Sequence, residues 1–220
     1  MFDSALNILS YLSQGLGTTV SLFLAATVLA FIIAFVAGLC RIVKNPLIRG
    51  FTMFYVELFR GTSLIVQLFW LYYAVPILFN IHLGSNWWIG VIAIALNYGA
   101  YMSEVVRSSI LAVDKGQTEA AIALNLSRVQ RMRHIILPQA LRLMLPEFGN
   151  YSIQILKGTA LVSLIGLTDI LYYGDIYRST NLSEGPLAYF MVLVMYFIIA
   201  LPLIWLSKKG EKIAKRGVAS

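Results

Sequence analysis

The stretch from Glu119 to Pro138, EAAIALNLSRVQRMRHIILP, constrains this chain more than any other. Long apolar runs flank it on both sides, yet it carries Arg128, Arg131 and Arg133. An arginine at a bilayer centre costs roughly 2.5–3.5 kcal/mol. The stretch is therefore expected outside the membrane, on the side that favours cations. Glu119 to Leu124 reads as a short helix of strong helix formers, with Glu119 favouring its start. Asn125 is the expected stop, because asparagine tolerates the left-handed backbone required there. Ser127 can cap the next helix, which Pro138 bounds or kinks. A helix–turn–helix elbow on the membrane face results, suited to docking into a cleft of a partner.

The spacing Glu119-Ala120-Ala121, Asn125, then Ile135, Leu137 and Pro138 resembles the EAA loop of ABC importer permeases. The family usually has Gly where this chain has Asn125, the next best residue for a positive φ. Three other segments resemble permeases for polar amino acids: Glu57 to Ser63, Ala100 to Arg107 with Gly116 to Glu119, and Leu156 to Leu164. The first departs from the family in carrying Ser63 where proline is common. The resemblance implies a type I importer permease in a bacterial cytoplasmic (inner) membrane. It implies a second permease subunit, the same chain or a paralogue, a pair of ABC ATPases at the elbows and an external solute-binding protein. Polar amino acids are the implied cargo, with basic ones favoured by the segment after Lys157. Glu119, Ala120, Ala121, Asn125, Ile135, Leu137 and Pro138 are the implied ATPase-coupling residues.

Composition sets the class independently of any family. Hydrophobic residues make up 59% of the 220, charged residues 12%, and the mean hydropathy is +0.79. An integral membrane bundle with no sizeable soluble domain follows. The net charge of +7 sits at the ends of apolar runs, so it reads as an orientation signal and not as a nucleic-acid footprint. The lone Cys40 excludes an intramolecular disulfide.

Residues 1–17 hold no Lys or Arg, lack the basic start of a cleavable signal peptide, and read as an interfacial helix ending near Gly15 and Gly17. An all-α, polytopic bundle of about five spans is expected within 18–207. The spans are placed near 18–39, 62–79, 89–111, 141–170 and 187–206, with the elbow at about 113–138 and a basic tail at 208–220. The second is expected to continue a helix that begins near Phe51, and the fourth to be interrupted by Pro146 and Gly149. Ala26, Ala30, Ala34 and Gly38, and likewise Ala95, Gly99 and Ser103, form small-residue stripes for close packing. Glu57 and Arg60 can pair on one helix face. Asp169 to Glu184 reads as a polar external loop. Basic residues after span one, in the elbow and at the C-terminus place those segments in the cytoplasm, with the N-terminus outside.

No Gly-Lys pair exists, so the phosphate-cradling loop of an ATPase is absent. The chain is read as no enzyme and as binding no cofactor itself, with ATP and Mg on a separate subunit. His82 and His134 are too far apart, and on opposite sides, for zinc-protease spacing. Asn97, Tyr101, Glu104, Asn150, Gln154, Lys157 and Thr159 are candidate solute-pathway residues. Asn150, Gln154 and Lys157 share one helix face, while Glu104 can also pair with Arg107. The alternative is an ion-coupled secondary transporter using Glu104, Glu147 or Lys157, although no inverted repeat is evident.

Overall fold

The computed structural model describes residues 2–81 and 84–216, which are helical with no strand. His82, expected on the side opposite His134, lies outside them. Among the described residues three helical stretches are long and apolar enough to cross a membrane. The first, Ser4–Cys40, joins α1 (Phe2–Leu12) through a tight turn to α2 (Leu16–Cys40). The others are α6 (Asn86–Leu111) and the stretch Leu182–Ala214, most of it α11 (Gly185–Arg216). Two bent pairs bring the possible spans to five: Pro46–Gly61 with Leu64–Phe79, and Arg128–Ile165 with Ile170–Thr180.

The small-residue stripes lie where close approach demands them. Ala26, Ala30, Ala34 and Gly38 of α2 are buried, as are Ala95, Gly99 and Ser103 of α6. A Cβ on Gly38 would stand 2.7 Å from Val106 Cβ, and one on Gly99 would stand 2.7 Å from Ile33 Cγ2. One end of this pair is pinned by charge. Glu104 accepts from Arg107 Nε at 3.0 Å and is ion-paired to Arg41 just beyond α2.

The second span differs from expectation. Helix α3 (Pro46–Gly61) turns through 108° into the Leu64–Phe79 segment, so the two are not one straight rod. Thr62 and Ser63 are extended, which leaves the last carbonyls of α3 without helical donors. Side-chain amides replace them: Gln67 Nε2 donates to Phe59 O at 2.9 Å and Thr62 O at 3.2 Å, and Asn97 Nδ2 donates to Phe59 O at 3.1 Å. Asn97 Nδ2 also donates to Gln67 Oε1 at 3.0 Å, tying the bend to α6. Beyond it, α4 (Leu64–Phe69) passes through a wide turn at Trp70–Ala74 into α5 (Val75–Phe79). The wide turn precedes Pro76, whose ring and missing N–H disrupt the regular ladder.

The fourth span is also reordered. Helix α9 (Leu137–Gly158) runs straight through Pro146 and Gly149. Gly149 serves packing, since a Cβ there would meet Ser207 Oγ of α11 at 2.5 Å. The helix tightens over Thr159–Ile165 and ends on Gly166 at φ 77°. The expected loop beyond is mostly α10 (Ile170–Thr180), because Asp169 caps it, accepting from Tyr172 N at 2.9 Å. Asp169 is fully buried and also accepts from Tyr196 Oη of α11 at 3.0 Å.

The glycine at 15 marks a contact. Its ideal Cβ would fall 2.3 Å from the Asp169 carbonyl carbon, while one on Gly17 would meet nothing. Thr19 Oγ1 then accepts from Ile170 N at 3.2 Å. Ile8 and Leu12 of α1 pack with Ile170, Ala188, Val192 and Met195, so the N-terminal segment joins a second small core.

Candidate functional site: an exposed elbow and a polar helix face

The elbow forms from local signals alone. Helix α7 (Lys115–Ala123) starts four residues before Glu119, because Asp114 caps it by accepting from Gly116 N at 2.6 Å. Glu119 is thus mid-helix, which corrects its expected role at the helix start. Asn125 adopts φ 55°, and the two N–H groups around it close the helix end. Leu126 N donates to Ala121 O at 3.0 Å and Asn125 N to Ile122 O at 2.9 Å. Ser127 and Gln130 then form a reciprocal capping box that opens α8 (Arg128–Arg131). A wide turn at Met132–Ile136 absorbs Pro138, so the chain passes into α9 without stopping.

Glu119, Ala120, Asn125 and Pro138 are exposed, Ile135 and Leu137 are half-buried, and Ala121 is buried. Three further residues define the surface. Ile122, Leu124 and Val129 are 54%, 73% and 74% exposed, an apolar tip on a segment too basic for hydrocarbon. Sequence reasoning passed over them. Their signal was apolar side chains flanking a turn that the arginines had already placed in water.

The polar candidates divide into two groups. Asn97 is committed to the bend, Thr159 is buried and donates to Leu156 O at 2.6 Å, and Glu104 is held by two arginines. The other group faces outward: Asn150, Gln154 and Lys157 are exposed on one side of α9, and Glu147 extends the row by one turn. Among the described residues neither Lys157 nor Glu147 has an ion-pair partner.

Half-buried Tyr101 connects the row to α3. Its hydroxyl donates to Arg60 O at 3.0 Å, its ring lies 6.1 Å from Tyr151, and the Arg60 guanidinium sits 5.5 Å from its centroid. Arg60 does not pair with Glu57 among the described residues, and its Nε is buried without a hydrogen-bond partner. Arg60 was read only with Glu57, and Tyr151 was passed over, because their meeting point is Tyr101, on a third helix distant in sequence from both.

Known proteins share this sequence and fold. A probable amino-acid ABC transporter permease protein of Sinorhizobium fredii is 41% identical over 93% of this chain and 87% of its own length. The arginine transport system permease protein of Bacillus subtilis is 32% identical over 90% and 93%. A crystal structure of an amino acid ABC transporter with histidines superposes with a TM-score of 0.87 at 32% identity, over 96% of this chain and 98% of that one. A chain of an inward-facing methionine ABC transporter shares the fold alone, with a TM-score of 0.74 at 18% identity, over 94% and 95%. Residues 26–209 match the family described as the binding-protein-dependent transport system inner membrane component. This chain belongs to that family, as a multi-pass permease of an ABC importer.

Proposed function

We propose that the chain carries amino acids, basic ones included, across the inner membrane on ATP hydrolysed by a separate ABC subunit docked at the elbow. The exposed apolar tip of Ile122, Leu124 and Val129 carries this reading. Apolar side chains on a water-facing elbow mark a protein interaction site. ATP and Mg belong to the docked partner. Nucleotide-driven movement of the elbow would bias a two-state bundle.

A second permease copy or a paralogue would cover the Glu147–Lys157 face of α9. Charged side chains in a span are costly unless they meet a partner or a watery cavity. A zwitterion delivered by an external binding protein fits that cavity. The Arg60 guanidinium, seated beside Tyr101, would take its carboxylate, and Glu147, one turn from Tyr151, would take its ammonium. Lys157, ten residues or about 15 Å along α9 from Glu147, would meet the carboxylate at a separate point of the path. In this reading Asn97, Thr159 and Glu104 hold the wall in shape, and Asn150 and Gln154 replace part of the solute's hydration. Relatives named for amino acids and for arginine support the cargo class.

Lys157→Met keeps side-chain length and removes the charge. Loss of one charge-assisted contact of about 1.5–3 kcal/mol lowers uptake by roughly ten- to a hundredfold. Complex assembly and binding-protein-stimulated ATPase activity should persist. Unchanged uptake kinetics would remove Lys157 from the path.

The orientation proposed from the basic residues puts Arg128 and the C-terminal end of α11 in the cytoplasm and Asn181 outside. In a Cys40→Ser background, Asn181→Cys should react with a membrane-impermeant thiol reagent in intact spheroplasts. Arg128→Cys should react only after the membrane is opened. Labelling at position 128 in intact cells contradicts this orientation.

A further inference from the structure

We infer that the outer face of the α11 end is a binding site for one anionic phospholipid. Trp205, Lys208, Lys209, Lys212 and Ile213 line an open cavity of about 420 Å³ there. Their spacing places them on one helix face. The opposite face is occupied by the bundle: Ser207 is buried against Gly149, and Gly210 packs on Leu145. The three lysines therefore cannot turn inward. Among the described residues none of them has an ion-pair partner. Lys209 Nζ stands 4.7 Å from the Trp205 ring centroid, a cation–π contact that fixes one wall. Glu211, the acidic residue of this segment, is outside the lining.

The same face continues into the span as an apolar track. Leu193, Phe197 and Leu201 are exposed one turn apart and lead directly to Trp205. The apolar stretch Leu182–Ala214 has 33 residues, about 50 Å of helix, against about 30 Å of hydrocarbon. Its charged end consequently projects into the headgroup region, with Trp205 at the boundary where tryptophan prefers to sit. A phospholipid matches both halves, its acyl chains along Leu193–Leu201 and its phosphodiester among the lysines. Set beside Trp205 at the headgroup level, the lysines meet lipid phosphodiesters before they meet the surface of a soluble protein. This inference is independent of the cargo and of the ATPase docking site.

Native mass spectrometry of the full chain, extracted into detergent with equal palmitoyl-oleoyl phosphatidylglycerol and phosphatidylcholine, tests the site. The wild type should retain phosphatidylglycerol preferentially. Each lysine near an anionic headgroup contributes about fivefold, so K208Q/K209Q/K212Q should lower the preference on the order of a hundredfold. Phosphatidylcholine retention should not change. A wild-type preference in the triple variant overturns the inference, as does equal retention of both lipids by the wild type. Displacement of phosphatidylglycerol by equimolar glycerol phosphate overturns it too, because a headgroup alone would then suffice. Loss of a co-purifying protein from the triple variant, with lipid preference intact, assigns the lysines to a protein partner instead. If the triple variant does not accumulate, Lys212→Gln decides, with a fall of about fivefold expected and an unchanged ratio fatal.

Discussion

Ala120→Trp is expected to leave the protein inserted and folded while ATP-driven uptake falls about thirtyfold or more. Ala120 is exposed on α7, next to the apolar tip at Ile122 and Leu124, and Ala121 beneath it is buried. An indole at Ala120 therefore needs no rearrangement within this chain, and it keeps an ATPase from seating on the surface. Losing a central contact of this kind costs about 2 kcal/mol or more of docking free energy. Glu119→Lys should act in the same direction by reversing charge on the exposed face of a complete helix. Uptake into proteoliposomes containing the ATPase subunits and the loaded binding protein measures both variants. Normal uptake by Ala120→Trp would detach the elbow from coupling, and loss of the protein from the membrane would make the effect one of folding.

Gly15→Ala should destabilise the bundle by about 3 kcal/mol or more, the upper end of what an extra methylene costs a packed core. The atoms in the way are backbone: the carbonyl carbon and oxygen of Asp169 and the nitrogen of Ile170, all within 2.5 Å of the ideal Cβ. Backbone cannot rotate aside as a side chain does. Separating α2 from this junction also breaks the bond from Ile170 N to Thr19 Oγ1. It further disturbs Asp169, which is buried and hydrogen-bonded to the start of α10 and to Tyr196. Gly17→Ala, two residues away, meets open space and serves as the control. Thermal unfolding in detergent should separate the two variants clearly, and equal midpoints would refute the close-contact explanation of Gly15.

How much of this was legible in the sequence depended on the range of the signals. The elbow was readable because its determinants are local. Asn125 carries the positive φ, Ser127 caps the next helix, and three arginines keep the segment out of hydrocarbon. The stripe from Ala26 to Gly38 was readable because its period is helical and every member is small. The 108° bend was not, since nothing in Gly61-Thr62-Ser63 announces that Gln67 and Asn97 will take over the orphaned carbonyls. Gly15 was read as a helix end because a glycine is ambiguous between a break and a contact until its neighbour is known. Pro138 was similarly ambiguous between a stop and a bend, and a wide turn just before it accommodates it. The shared face of Asn150, Gln154 and Lys157 on α9 was readable from spacing, as was the Glu104–Arg107 pair three residues apart. The bonds of Asn97 to Gln67 and of Glu104 to Arg41 were not, because those partners are remote in sequence.

The family and the exposed elbow support the proposal of transport powered by a separate ATPase. The rival is a self-contained carrier driven by an ion gradient through Glu104, Glu147 or Lys157. Glu104 is poorly suited to that role, held as it is between Arg41 and Arg107. Uptake into proteoliposomes separates the two, with the permease reconstituted alongside its ATPase and binding protein and tested with and without internal ATP and ionophores. We expect uptake that requires ATP and the ATPase subunit and that persists when all ion gradients are collapsed. Accumulation driven by a proton or sodium gradient, with neither ATP nor the ATPase present, would contradict it.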